Sequence, residues 1–405
     1  MSSLPLPIAH GRAIAAESPM PFPGAVGFYF VFRVCLTFLF FQSNPVAGTI
    51  ASILIDLALL YGAVMYTASS KVHPGHSLLQ ISPLCWIFAL LAFSLISVLW
   101  TGAESVVAAL AYWVGMATDI AIVLLLVRPG DAQRPVEAIM KGFVWGAVAV
   151  GLVAWCSPAA EDLRLGNDLY LHPNTLGLEI ALATLIAQYL AQRGTLWKWL
   201  GTALAITLLR TLSKTAIIAF LIAEFWYLTR NNALSRQAKL RIAAGAVVVV
   251  ISFWGLLTAY IDIYNNLGKG DQAETLTGRT VLWTAALAMS IEKPWFGHGL
   301  YSFKTLIPAF GLFEPVHAHN ELIQQFFEFG IVGVAIAVGV FRVFYRHVRC
   351  APPSPLRTLA LTLLIFSLLR GLTDTVPMGL SYPLWLMTAL SLCLAQPTPA
   401  EAYSS

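Results

Sequence analysis

Three short polar motifs interrupt an otherwise apolar chain, and their residue types are those of acid–base and anion chemistry. They are Thr277-Gly278-Arg279-Thr280-Val281-Leu282-Trp283, Pro294-Trp295-Phe296-Gly297-His298-Gly299 and His317-Ala318-His319-Asn320-Glu321. Arg279 opens a stretch with helical periodicity through residue 291, with Thr277 as its expected cap and Val281, Leu282, Trp283, Ala285 and Met289 as a face for the membrane surface. A helix start offers unpaired N–H groups and a partial positive charge, so Arg279 there makes an anion site. The alternative is a capped surface helix with a solvated arginine. Histidine titrates near neutrality and is the natural proton acceptor. In an extended segment, alternate side chains point opposite ways, so at most one of His317 and His319 is expected to face a given site. That argues against a two-histidine metal clamp, and no zinc spacing accompanies the pair. We expect no metal and no cofactor. Trp295, Phe296 and Tyr301 either stack on sugar rings or serve as membrane-interface anchors.

The segment after His319 is a helix on which Glu321, Gln324, Gln325 and Glu328 share one side. A polar stripe entering a membrane must face a wet cavity or the bundle interior. The motifs and this stripe together are expected to enclose a polar pocket.

The elements that must position these residues are membrane helices. The chain has 405 residues, 58% hydrophobic and 11% charged, with net charge +4. A soluble protein carries about 25% charged residues, and repeated apolar runs approach the ~20 residues that span a bilayer. The reading is an all-α, polytopic integral membrane protein, a single transmembrane domain over 1–405. About twelve spanning helices are expected, at 25–41, 47–68, 84–100, 106–127, 137–156, 174–192, 196–211, 214–230, 240–261, 320–341, 357–372 and 381–396. A large outer loop, 262–319, precedes the tenth. Runs this long exclude a barrel. Residues 1–23 lack an apolar signal-peptide core, so the first span is expected to be an uncleaved anchor. No compact basic face exists for nucleic acid. The five cysteines read as small apolar fillers.

With a cytoplasmic N-terminus, the inner segments hold fifteen of the 24 Lys and Arg and the outer segments eight. The inner excess puts both termini in the cytoplasm and 262–319 outside. Among the outer cations, Arg210 and Lys214 flank a tight turn at Leu212-Ser213, and share a face if the turn stays helical. They are either snorkelling residues or a phosphate site. Arg33, Asp56, Asp119, Glu179, Glu224 and Asp374 fall at membrane depth. They are either structural pairs or an ion pathway, which would indicate a transporter.

Gly278-Arg279-Thr280-x-x-Trp283, Pro294-x-x-Gly297-x-Gly299 and His317-x-His319-Asn320, running into Glu328-x-Gly330-x-x-Gly333, resemble the O-antigen ligase and polymerase superfamily (Wzy and WaaL), most of all the exopolysaccharide polymerases of the ExoQ type. Ser97-Val98-Leu99-Trp100, His172-Pro173-Asn174-Thr175-Leu176-Gly177 and Leu212-Ser213-Lys214-Thr215-Ala216 look like further landmarks. The chain departs from the family's pattern at Lys214, where arginine is common, and at Pro173, where a basic residue is common. The resemblance implies metal-independent glycosyl transfer from a polyprenyl-diphosphate-linked glycan at the periplasmic face of the bacterial inner membrane. The product is a polymerised exopolysaccharide or O-antigen; the alternative is ligation of glycan to a lipid A core acceptor. A lipid-linked glycan flippase is the rival of another class. Implied partners are the glycan donor, the acceptor, membrane lipids, a chain-length regulator and a flippase. The resemblance makes His319 the base, with Glu321 and Glu328 as substitutes or acceptor-orienting groups. Arg279, Arg210 and Lys214 hold the diphosphate, and Trp283, His317, Asn320 and His172 contribute to binding.

Overall fold

A computed structural model describes residues 21–69, 78–127, 132–157, 164–166, 171–230, 279–309, 315–376 and 381–395, with isolated positions between 235 and 258. The described residues form helices without a β-strand element. In chain order they are α1 Pro21–Phe32, α2 Val34–Phe40, α3 Pro45–Ser69, α4 Ser82–Ile96, α5 Val106–Leu126, α6 Gln133–Cys156, α7 Pro173–Leu190, α8 Thr195–Arg210 and α9 Lys214–Arg230. After the motif-bearing segment come α10 Arg279–Ser290, the single turn α11 Phe303–Leu306, α12 Glu321–Cys350, α13 Pro355–Gly371 and α14 Leu384–Leu394.

Five of these helices are long and apolar enough to cross a membrane: Val46–Ser69, Ser82–Trp100, Val106–Leu126, Gln133–Cys156 and Glu321–Cys350. A sixth crossing results if α1 and α2, bent by 56° at Arg33, count as one span. Helices also cover the other expected segments at 174–230, 357–372 and 381–396, but these are shorter, at 11 to 18 residues. The expected span 240–261 lies largely outside the described residues, as do 262–278, including Thr277 and Gly278. Two boundaries differ from expectation. The first segment breaks at Arg33, because the guanidinium there is drawn to Asp119 at 2.8 Å and Asp56 at 3.8 Å. The helix expected at 320–341 runs on to Cys350. Its basic residues Arg342, Arg346, His347 and Arg349 fall in its last three turns.

Close helix approach comes from small residues. A Cβ on Gly142 would lie 1.9 Å from the Gly24 carbonyl oxygen, so α1 and α6 meet backbone to backbone. Without a hydrophobic drive between helices in lipid, such contacts carry the packing. The buried core extends from this crossing through α7, α13 and α14. A second, smaller cluster of Leu282, Ala286, Phe303, Ile307, Ala318 and Phe327 seats α10 and α11 against the start of α12.

Candidate active site

The site forms where three chain segments end. Asn320 caps α12: its side-chain oxygen accepts from the Ile323 amide at 3.1 Å. Its Nδ2 donates to the Leu372 carbonyl at 2.9 Å, and so ties α12 to the end of α13. Glu321 accepts from the Val376 amide at 3.4 Å and from Gln325 at 3.0 Å. Arg279, first residue of α10, donates to the Thr373 carbonyl. Trp283, one turn on, donates from its indole to the Ala318 carbonyl at 2.7 Å. Arg279, Trp283, Asn320 and Glu321 thus assemble two short stretches, 317–320 and 372–376.

Those stretches bring His319 and Asp374 together. His319 Nδ1 lies 2.9 Å from Asp374 Oδ1, and Arg370 donates to Asp374 Oδ2 at 3.0 Å. Burial alone would raise the Asp374 carboxyl, but Arg370 and the His319 hydrogen bond outweigh it and hold it below the usual carboxylate range. An ionised Asp374 fixes the His319 proton on Nδ1 and leaves Nε2 as the acceptor. The His319 side chain keeps 20% exposure against 2% for Asp374. Arg370 is also 2% exposed, and its Nε and Nη1 find no hydrogen-bond partner among the described residues.

His317 does not point away from His319 as alternation requires. The two rings lie 4.2 Å apart, and with Asp374 their ligand atoms all fall within 4.8 Å of one another. The reason is the backbone at His319, whose φ of +50° takes the segment out of extended geometry. Histidine is among the residues that tolerate this region. The His317 ring accepts from the His319 amide at 3.4 Å. Burial first, then neighbouring His319, holds the His317 imidazole below its ordinary value. The triad has the donors of a metal site. A cation placed there would share Asp374 with Arg370 and meet the field of Arg279, so the surroundings suit an anion better.

Cations converge beside the pair. Burial, with Arg370 and Arg164 nearby, pushes the Arg279 guanidinium down, and Asp374 opposes them. Arg164 and Arg279 both act on Lys214. Arg164 donates to Asn174 Oδ1 at 2.7 Å, which also accepts from Ser213 at 3.0 Å. The landmarks 172–177 and 212–216 are therefore one packed unit, and a Cβ on Gly177 would meet Ser213 at 2.8 Å. His172 caps α7, its Nδ1 accepting from the Asn174 amide at 3.2 Å. The turn after Arg210 is not helical, since Leu212 has φ +51°. Arg210 and Lys214 accordingly do not share a helical face.

The 294–299 motif braces the break in α12. α12 breaks at Gly330, with φ +64°. The carbonyls of Phe327 and Glu328 accept from the amides of His298 and Gly299, at 2.9 and 2.7 Å. The amides of Ile331 and Val332 donate to the carbonyls of Pro294 and Trp295, at 2.8 and 3.2 Å. Backbone polar groups freed inside a membrane helix must be satisfied, and this loop satisfies them. Glu328 is enclosed beneath it, against the backbone of Tyr301 and Phe303. Trp295 and Phe296 are exposed, and Phe296 packs on Phe93 and Trp100.

Sequence reasoning left Arg370 and Asp374 out of the site. Their signal was an Arg–Asp pair four residues apart at the end of an apolar helix, some fifty residues beyond the last motif. At membrane depth elsewhere, Arg33 pairs with Asp119 and Asp56, Ser381 donates to Asp119, and Gln188 donates to Glu224 at 2.6 Å. Both Glu179 carboxyl oxygens lack a hydrogen-bond partner among the described residues.

Fold and site define a helical membrane protein with an aspartate-oriented histidine beside clustered cations. The comparisons narrow this. Residues 199–338 match the family model described as O-Antigen ligase. An O-antigen ligase of Pseudomonas aeruginosa is 25% identical over 195 residues, 44% of this chain and 45% of that protein. The chain thus aligns with less than half the length of this curated relative. Both comparisons bear out the resemblance to the O-antigen ligase superfamily, and neither singles out the exopolysaccharide polymerases. The matched segment includes Arg210, Lys214, Arg279, Trp283, His317, His319, Asn320, Glu321 and Glu328. It stops short of Arg370 and Asp374.

Proposed function

We propose that the chain transfers a glycan from a polyprenyl-diphosphate carrier to an acceptor hydroxyl at the periplasmic face of a bacterial inner membrane. The observation that carries this reading is the His319–Asp374 pair beside Arg164, Lys214, Arg279 and Arg370. The acceptor oxygen attacks the anomeric carbon, and its proton passes to His319 Nε2. The bond from that carbon to the diphosphate oxygen breaks, and the diphosphate leaves with the electron pair. General-base catalysis serves the first event, and fixed cations serve the charge that develops in the second. Arg279, Lys214 and Arg210 are the diphosphate ligands, and Arg370 joins them through its unpaired Nε and Nη1. No step calls for a metal.

The inner excess of Lys and Arg supports cytoplasmic termini and an outer 262–319. A cysteine at Glu292, in a background lacking the native five, should react with a membrane-impermeant maleimide in intact spheroplasts. Labelling only after lysis would reverse the orientation. The decisive assay is acceptor-dependent release of polyprenyl diphosphate by purified protein. Acceptor choice separates the two forms of the reaction: likeness in 277–303 favours a second lipid-linked repeat, and the ligase relative favours lipid A core. Supplying each alone decides between them.

A transporter reading has one observation in its favour, the buried Arg33, Asp56 and Asp119 cluster at a helix break, with Glu179 within reach of the Arg33 charge and lacking a hydrogen bond among the described residues. Movement of glycolipid across liposomes without diphosphate release would establish it.

A further inference from the structure

A polar cavity lies apart from the His319–Asp374 pair. It measures ≈ 470 Å³ and is bounded by the α4–α5 connection and the α11 turn, with Glu104, Ser105, Tyr301, Lys304 and Thr305 among its walls. Such a volume is within the ~300–1,000 Å³ of small-molecule sites. We propose that this cleft is a docking subsite for the sugar portion of the substrate, taking several pyranose units at a distance from the reacting bond. The inference rests on the glycan-transfer reading and adds where the glycan is held.

The walls are preformed. Thr101 Oγ1 donates to the Leu300 carbonyl, the Leu300 amide donates to Ser97 Oγ at 3.1 Å, and the Gly102 amide donates to the His298 carbonyl at 2.9 Å. The Glu104 amide donates to Thr305 Oγ1 at 3.1 Å and closes the edge. A Cβ on Gly299 would lie 2.5 Å from the Thr101 Cα, so the two segments touch as backbone. The landmark 97–100 is thereby stitched to the 294–299 motif.

The lining chemistry fits sugar better than lipid or phosphate. Hydroxyls from Ser105, Tyr301 and Thr305, one carboxylate and one ammonium give donors and acceptors of both kinds without a net charge. Ala108, Ile307, Pro308 and Pro315 add apolar surface to the same lining. Pyranose rings present that mixture, hydroxyl edges and apolar C–H faces. Tyr301 adds a second observation. It holds φ +65°, and its ring centre lies 4.7 Å from that of Tyr112. A tyrosine held in the left-handed region is a strained placement of the kind that clusters at ligand sites. Neither His319 nor Asp374 lines the cleft, whose wall residue Ile307 packs in the apolar cluster with Phe303 and Ala318. The cleft therefore receives sugars beyond the one undergoing transfer.

The test uses lipid-free oligosaccharide, released by mild acid from the glycolipids of the expressing cells. Saturation-transfer NMR should detect its binding to the full-length protein in nanodiscs. Glu104→Ala combined with Lys304→Ala, both exposed and tolerant of change, should weaken binding about ten-fold, as expected for two lost hydrogen bonds. His319→Asn should bind as wild type. As a second measurement, a cysteine at Ala309 should be shielded by the oligosaccharide from an impermeant maleimide. Unchanged binding in the double variant, or no shielding, overturns the cleft while leaving glycan transfer standing. Binding in the cleft by a protein that never releases polyprenyl diphosphate overturns the transfer reading alone.

Discussion

Among the described residues, two arginine–aspartate clusters lie in this bundle, and they differ in what can reach them. In the core, Arg33, Asp56 and Asp119 are each sealed, with side-chain exposures of 6%, 6% and 1%. Their charges are spent on one another and on Ser381. At the ends of α12 and α13, Arg370 and Asp374 are equally buried, but the pair is extended by His319, one-fifth exposed. The first arrangement locks helices together. The second orients a partly exposed imidazole, the group that the proposed reaction uses as its base. The same two residue types therefore make a sealed staple in one place and, in the proposed reaction, a support for chemistry in the other.

The largest expected effect sharpens that contrast. His319→Asn keeps a residue that tolerates the left-handed backbone and removes the proposed base. Turnover should fall by about 10²–10⁴ with normal protein levels and unchanged donor affinity. Because Asn320 is the cap of α12, His319 owes nothing to capping, and full activity in His319→Asn would end its role as base. Asp119→Ala should behave in the opposite way. It leaves buried Arg33 with only the longer Asp56 contact at 3.8 Å, at a cost of up to about 3–5 kcal/mol, read as lost folded yield with the surviving fraction still active. Loss of turnover in a well-folded Asp119→Ala would make the core cluster functional and revive transport.

The helices and the polar stripe of α12 were legible because composition and periodicity report directly on lipid and burial. Arg279, His319 and Lys214 were legible because charge in an apolar chain is conspicuous. Asp374 was not, since its role depends on three side chains, Arg279, Asn320 and Glu321, that hold its turn from a distance in sequence. His317 was misjudged for a local reason. Alternation assumes extended backbone, and one positive φ at His319 removes the assumption. The pairing of 294–299 with the break at Gly330 was hidden because backbone-to-backbone contact leaves only glycines as its trace.

Gly297→Ala tests that pairing. The new Cβ would lie 2.5 Å from the Glu328 carbonyl, at φ +64°, so four backbone hydrogen bonds must shift. A cost of about 1–3 kcal/mol is expected from overpacking, seen as a lower unfolding midpoint and weaker turnover together. An unaffected midpoint would mean that the loop does not brace α12. Arg279→Lys should cost less than His319→Asn. The charge stays, but the guanidinium fork that reaches Thr373 and, in the proposed reaction, the diphosphate does not, so donor KM should rise with partial turnover retained. Recovery to wild-type KM would reduce Arg279 to a point charge.

The smallest effect separates His317 from its neighbour. The folded state holds the His317 imidazole below its ordinary value, whereas the unfolded chain protonates it near pH 6.5. Folding stability contributed by neutral His317 is thus complete above about pH 6.5 and declines as the pH falls below it. Asp374, held low, adds nothing to that decline until the pH approaches the ordinary carboxylate value of about 3.9. Between pH 7.5 and 5.5 the unfolding midpoint of the wild type should therefore drop further than that of His317→Ala, with turnover at pH 7.5 reduced only mildly in the variant. Equal drops would show that His317 meets solvent freely and is not held neutral against His319. A His317→Ala variant as inactive as His319→Asn would instead move His317 from support into the proton path.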